Sequence, residues 1–122
     1  MKKKILVVDD ETQIVRLLSM RLEANNYEIV KAYDGNQCTQ VAKTEMPDII
    51  LLDIKMPMGG GITAFETIRN SKTTKNIPII FITAYPSEQI KKQVIDMGAD
   101  GFISKPFNSE DLLDKIHSII GE

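Results

Sequence analysis

Asp9-Asp10-Glu11, Asp53, Thr83 and Lys105-Pro106 each follow or end a short apolar run: Ile5-Leu6-Val7-Val8, Ile49-Ile50-Leu51-Leu52, Ile79-Ile80-Phe81-Ile82 and Gly101-Phe102-Ile103-Ser104. Ionised carboxylates held close together repel, so they either share protons or bind a cation. With oxygen donors and no histidine or cysteine at these positions, the fitting cation is hard, Mg²⁺ or Mn²⁺. Asp9 and Asp10 are candidate ligands, directly or through water; the plainer alternative is that they cap the following helix. Asp53, after the most apolar run, could be a metal ligand, a nucleophile or both, and a carboxylate attacking phosphorus gives an acyl phosphate. In-line phosphoryl transfer needs its equatorial oxygens neutralised and little else. A cation can serve one oxygen, Lys105 a second, and Thr83 with a backbone N–H the third. Thr83 and Lys105 are weak signals singly. Their placement at strand ends, with a small Ala84 leaving access, makes the combination specific.

The elements must bring these ends together. Apolar runs of this length, separated by helix-like stretches, read as buried parallel strands. Strand and helix alternate five times. Ile14, Leu17, Leu18 and Leu22 share a face of the first helix, which Asn25-Asn26 stops. Tyr27 to Ala32 is a more polar second strand, suited to a sheet edge, followed by a turn signal at Asp34-Gly35. Cys38, Val41 and Ala42 line the second helix, and Met46-Pro47-Asp48 breaks it. Gly59-Gly60-Gly61 precedes a third helix with Ile62, Phe65 and Ile68 inward. Ile77-Pro78 opens the fourth strand, and Ile90, Val94 and Met97 face inward on a helix closed by Gly98. Asn108 caps the last helix with Asp111 at its third position, ahead of Leu112, Leu113, Ile116, Ile119 and Ile120.

Strict alternation predicts an α/β, (βα)5 doubly wound fold with right-handed crossovers and helices on both faces. In the flavodoxin-like strand order 2-1-3-4-5, strands one and three flank the switch point where ligands bind. Asp9, Asp10 and Asp53 belong to those two strands, so order and acidic cluster support each other.

Bulk properties exclude other classes. The 122 residues suit a single domain, 1–122. A net charge of -2 gives no general pull toward nucleic acid, and Lys2-Lys3-Lys4 reads as a solvated start. Cys38 is the only cysteine, so no disulfide or thiolate metal site is available within the chain; it reads as a small buried apolar residue. His117 reads as a solvated or half-buried side chain rather than a phosphodonor, and the scattered methionines as packing residues. No apolar segment could span a bilayer and no signal pattern follows Met1, so a cytoplasmic protein is expected.

At this point the chain resembles the receiver domain of two-component response regulators, the CheY-like fold. The residues that carry the resemblance are Asp9-Asp10, Asp53 within Leu52-Asp53-Ile54-Lys55-Met56-Pro57, Thr83-Ala84 and Lys105-Pro106. It implies that Asp53 is the phosphoacceptor, fed by the phosphohistidine of a histidine kinase or phosphotransfer protein. It implies Mg²⁺ held by Asp10, Asp53 and the backbone carbonyl of Lys55, with Asp9 assisting through water. It implies a switch pair, Thr83 and Phe102, and a cis Lys105-Pro106 bond. Such a domain catalyses only its own phosphorylation and slow dephosphorylation. Its expected output is a downstream effector engaged by the fourth helix, fifth strand and fifth helix, as a monomer or as a dimer formed through that face once phosphorylated.

Two departures stand out. The family usually places a methionine and an acidic or amide residue before the loop glycine, where this chain has a glycine run, predicting a more mobile loop. Phe102 lacks the hydroxyl of the commoner tyrosine, so a partner contact there must be apolar. Other phosphate chemistries fit less well. A haloacid-dehalogenase-type phosphatase needs a second aspartate where Lys55 stands. A flavodoxin-type phosphate loop would not begin Asp9-Asp10-Glu11, and the glycine run is not a Walker loop. The remaining alternative is a pseudo-receiver, the same fold used as a phosphorylation-independent interaction module.

Overall fold

The computed structural model describes residues 2–54, 60–84 and 87–121. Its elements run β1 (Lys4–Val8), α1 (Thr12–Ala24), β2 (Glu28–Ala32), α2 (Gly35–Glu45), β3 (Ile49–Asp53), α3 (Gly60–Arg69), β4 (Ile79–Thr83), α4 (Glu88–Asp96), β5 (Gly101–Ser104) and α5 (Ser109–Ile120). The strands form one parallel sheet, as the alternation predicts, in the flavodoxin-like order β2-β1-β3-β4-β5 expected from the acidic cluster.

Every residue of β3 and β4 is buried, which is why these strands read as continuous apolar runs. Alternate side chains feed two cores. Leu6, Leu52 and Phe81 pack with Phe65 and Ile68 of α3, Cys38 and Ala42 of α2 and Val94 of α4. Ile5, Val7, Leu51 and Ile82 pack with Val15 and Leu22 of α1 and Leu112 and Ile116 of α5. Phe65 and Phe81 meet with ring centroids 5.3 Å apart. Removing either ring would cost about 3–5 kcal/mol.

Local signals mostly act as expected. Asn26 takes a positive φ of 73° after α1, a conformation asparagine tolerates. Gly98 follows α4 at φ 101°, and Asn108 accepts from the Asp111 N–H at the start of α5. Three readings are corrected. Leu17 is 64% exposed and Val15 fully buried, because α1 turns Val15 together with Leu18 and Leu22 to the sheet, leaves Ile14 partly buried at the edge and points Leu17 to solvent. Asp34-Gly35 is a helix start rather than a free turn: the Asp34 side chain accepts from the Gln37 N–H. Gly60 and Gly61 are the first residues of α3, while Gly59 lies outside the described residues. Among the described residues no helix is long and apolar enough to cross a membrane.

Cys38 is fully buried, as its composition-level reading requires. Burial, reinforced by the Asp34 charge, pushes its thiol up from 9.0 to about 12. Two results are expected. A thiol reagent at pH 8 should label the native protein far more slowly than the unfolded chain. Stability should also fall as pH rises above 9, where the unfolded thiol ionises and the buried one does not, by up to about 1.4 kcal/mol per pH unit from this group. Equal labelling of native and unfolded protein would contradict the first.

Candidate functional site

β1 and β3 are neighbours, but the chain leaves β1 into α1 on one face and β3 into α3 on the other. A crevice therefore opens beyond their carboxyl ends. Asp9, Asp10 and Asp53 meet there, each offering a carboxylate oxygen within 4.8 Å of the others. Asp9 and Asp53 are buried, at 3% and 7% exposure, while Asp10 faces solvent. The sequence treats Asp9 and Asp10 alike; the fold gives them different surroundings.

Asp9 is held from two sides. Its Oδ2 accepts from Lys105 Nζ at 2.7 Å, and its Oδ1 accepts from the Glu11 N–H at 3.0 Å. Glu11 itself is the N-cap of α1 and makes no side-chain capping bond. Lys105 arrives from the far side of the sheet, 96 residues later in the chain. Its backbone N–H donates to the Thr83 carbonyl at 2.7 Å, tying the end of β5 to the end of β4. The following Lys105-Pro106 bond is cis, as the resemblance implies. Burial alone would lower the Lys105 pKa; the hydrogen bond to Asp9 and the charges of Asp53, Asp9 and Glu11 reverse this and leave it raised above 10.5. The ammonium is therefore charged throughout the neutral range.

Three carboxylates facing one ammonium leave an excess of negative charge, equivalent to two charges, concentrated at the crevice. Oxygen-only donors with that excess suit a hard divalent cation, so the residues present fit Mg²⁺ or Mn²⁺. The Lys55 carbonyl, a further expected ligand, lies outside the described residues.

Thr83 ends β4 and is 1% exposed. Parallel pairing sets Ile82 against Asp53, Phe81 against Phe102 and Thr83 against Ser104. Alternation places Thr83 on the same sheet face as Phe81 and Phe102. Phe102 is half-buried against the core that contains Phe81. Beside it lies a cavity of about 450 Å³ lined by Ser87, Glu88, Lys91, Phe102 and Ser104. The structure thus brings Asp9, Asp10, Asp53 and Lys105 into one cluster. Thr83 ends the strand next to Asp53, and Phe102 sits one strand further out.

Two contributors are not evident in the sequence. Exposed Leu17 lines an apolar groove of about 480 Å³ that runs between α1 and α5 up to Ala84 and Lys105. Gly61 packs against the backbone of Asp53, a contact whose only sequence signal is glycine eight residues after that aspartate.

The chain matches the family model described as response regulator receiver domain over residues 5–117. It is 38% identical over 120 residues to the alkaline phosphatase synthesis transcriptional regulatory protein PhoP of Bacillus subtilis, covering 98% of this chain and 49% of that protein. It is also 38% identical over 119 residues to the response regulator PleD of Caulobacter vibrioides, covering 98% of this chain and 26% of that protein. Among solved structures, the Vibrio cholerae chemotaxis protein CheY4 superposes with a TM-score of 0.91 at 31% identity, covering 98% of this chain and 99% of that one. The chain spans about half the length of PhoP and about a quarter of PleD.

Proposed function

The chain belongs to the response regulator receiver domain family, and from that premise we propose that Asp53 accepts a phosphoryl group from the phosphohistidine of a histidine kinase or phosphotransfer protein. The observation that carries this reading is the cluster itself: three carboxylates within 4.8 Å of one another, balanced in part by a lysine held 2.7 Å from one of them. In this reading residues 1–122 act as one receiver, and its chemistry is confined to Asp53.

Asp10, Asp53 and the Lys55 carbonyl would hold Mg²⁺, with Asp9 assisting through water. Bound there, the cation would neutralise the carboxylates and one phosphoryl oxygen. A carboxylate oxygen of Asp53 attacks phosphorus, the P–N bond to the donor imidazole breaks, and the imidazole departs with that electron pair and takes a proton from water. The product is an acyl phosphate on Asp53. Lys105 carries three N–H donors, so it can keep Asp9 while reaching a phosphoryl oxygen. The Thr83 hydroxyl donates to another. The apolar groove beside Lys105 and Ala84 supports approach of the donor from the α1–α5 side.

Incubation with acetyl phosphate tests the reading by intact-mass spectrometry. One phosphoryl group should be taken up with Mg²⁺ or Mn²⁺ present and essentially none after chelation. Uptake that ignores the metal would remove the role given to the acidic cluster. No uptake under any condition would favour the pseudo-receiver.

A further inference from the structure

The start of α3 is pressed against the end of β3 more tightly than a side chain permits. A Cβ built on Gly61 would lie 2.1 Å from the Asp53 carbonyl oxygen, 2.9 Å from the Asp53 carbonyl carbon and 2.9 Å from the Ile54 Cα. All three are main-chain atoms, so no side-chain rotation can relieve the overlap. The Gly61 N–H also donates to the Ile54 carbonyl at 2.9 Å. The first turn of α3 is thus hydrogen-bonded to the Ile54 carbonyl and lies so close to the Asp53–Ile54 peptide that no side chain fits between them.

We propose that Gly61 is a positioning residue for the Asp53 carboxylate: its missing side chain lets α3 act as a backstop that sets where Asp53 stands relative to Asp9 and Asp10. The inference rests on the reading of Asp53 as phosphoacceptor and metal ligand. A methyl group at 61 must push the contact from 2.1 Å to an ordinary separation near 3.4 Å. The end of β3 or the start of α3 therefore moves by about 1 Å. Mg²⁺ demands near-ideal octahedral geometry, and a 1 Å misplacement of a reacting group can cost about 10²-fold in rate. Gly98 supplies a matched control. It holds φ 101°, so alanine there is strained, yet its added Cβ meets nothing within 4 Å.

The test compares wild type, Gly61→Ala and Gly98→Ala by thermal melting, by amide NMR in Mg²⁺ titration, and by the rate of Asp53 phosphorylation with acetyl phosphate. Both variants should lose stability. Only Gly61→Ala should shift the Asp53 and Ile54 amides in metal-free protein, weaken Mg²⁺ binding about tenfold and slow phosphorylation by about tenfold to a hundredfold. If Gly61→Ala does not fold in buffer, the titration is repeated in trimethylamine N-oxide, which favours the folded state. Failure to fold even then would assign Gly61 to the fold alone and overturn the proposal. So would wild-type Mg²⁺ affinity and phosphorylation rate in Gly61→Ala, or equal losses in Gly98→Ala. A wild-type protein that takes up no phosphate would instead count against the phosphoacceptor reading, while the metal titration still decides the role of Gly61.

Discussion

Replacing Asp53 by asparagine should abolish phosphoryl uptake completely while leaving the fold intact. The side chains are nearly isosteric, so the buried site at the end of β3 should close around the amide without a cavity. The amide is a poor nucleophile and cannot form a stable acyl phosphate, so the expected loss is total. Mg²⁺ affinity should fall by roughly an order of magnitude or more, because one charged ligand is lost from a cluster that offers three. Metal-free stability should hold or rise, since one like charge leaves a site already carrying excess negative charge. Intact mass after acetyl phosphate treatment, Mg²⁺ titration and a melting curve separate these effects. Equal phosphorylation of wild type and Asp53→Asn would place the acceptor elsewhere. A large loss of metal-free stability would mean that Asp53 is held chiefly as a structural partner.

Legibility in the sequence follows the physics of each feature. The parallel strands are legible because a short apolar run between helix-like stretches can bury both of its faces only inside a sheet covered by helices. Strand order is not written in the alternation itself; the order 2-1-3-4-5 is supported because it puts Asp9, Asp10 and Asp53 at one switch point, and the sheet has that order. Caps at Asn108 and Asn26 are legible because they act within a few residues of their own position. Contacts made across the fold are not. Periodicity alone does not decide between Val15 and Leu17 in α1: they flank Ile14, Leu18 and Leu22 on opposite sides of a broad apolar arc, and only docking against the sheet chooses which edge is buried. Asp34-Gly35 carries a turn signal because a turn and a helix N-cap use the same residue types. The lysine–carboxylate contact at Asp9 spans 96 residues, and nothing local to Lys105 names its partner. Gly61 signals loop freedom in the sequence, whereas its packing against Asp53 emerges only when α3 and β3 are placed together.

Thr83→Ala should leave phosphorylation of Asp53 largely possible while weakening its coupling to the α4–β5–α5 face. Moving a two-state equilibrium from 1:99 to 99:1 takes about 5.5 kcal/mol of differential interaction. Hydrogen bonds to a charged group contribute roughly 1.5–3 kcal/mol each, so Thr83 and Lys105 together can just supply that amount. Removing the Thr83 hydroxyl takes away about half, which lowers the equilibrium constant by roughly 10²-fold and leaves about an even mixture. The route outward is short. Thr83 shares a sheet face with Phe81, Phe81 pairs with Phe102, and Phe102 borders a cavity of about 450 Å³ that gives its ring room to turn. Phe102 has no hydroxyl, so the change it offers a partner is one of shape and apolar surface. Hydrogen exchange with a beryllofluoride phosphate mimic provides the measurement. In wild type, protection should change at Asp53 and across Glu88–Asp96, Gly101–Ser104 and Ser109–Ile120; in Thr83→Ala it should change in full at the pocket and by about half on that outer face. Wild-type changes confined to the pocket would show that Asp53 and the outer face are not coupled. Undiminished changes in Thr83→Ala would show that the coupling runs through Lys105 and β5 instead.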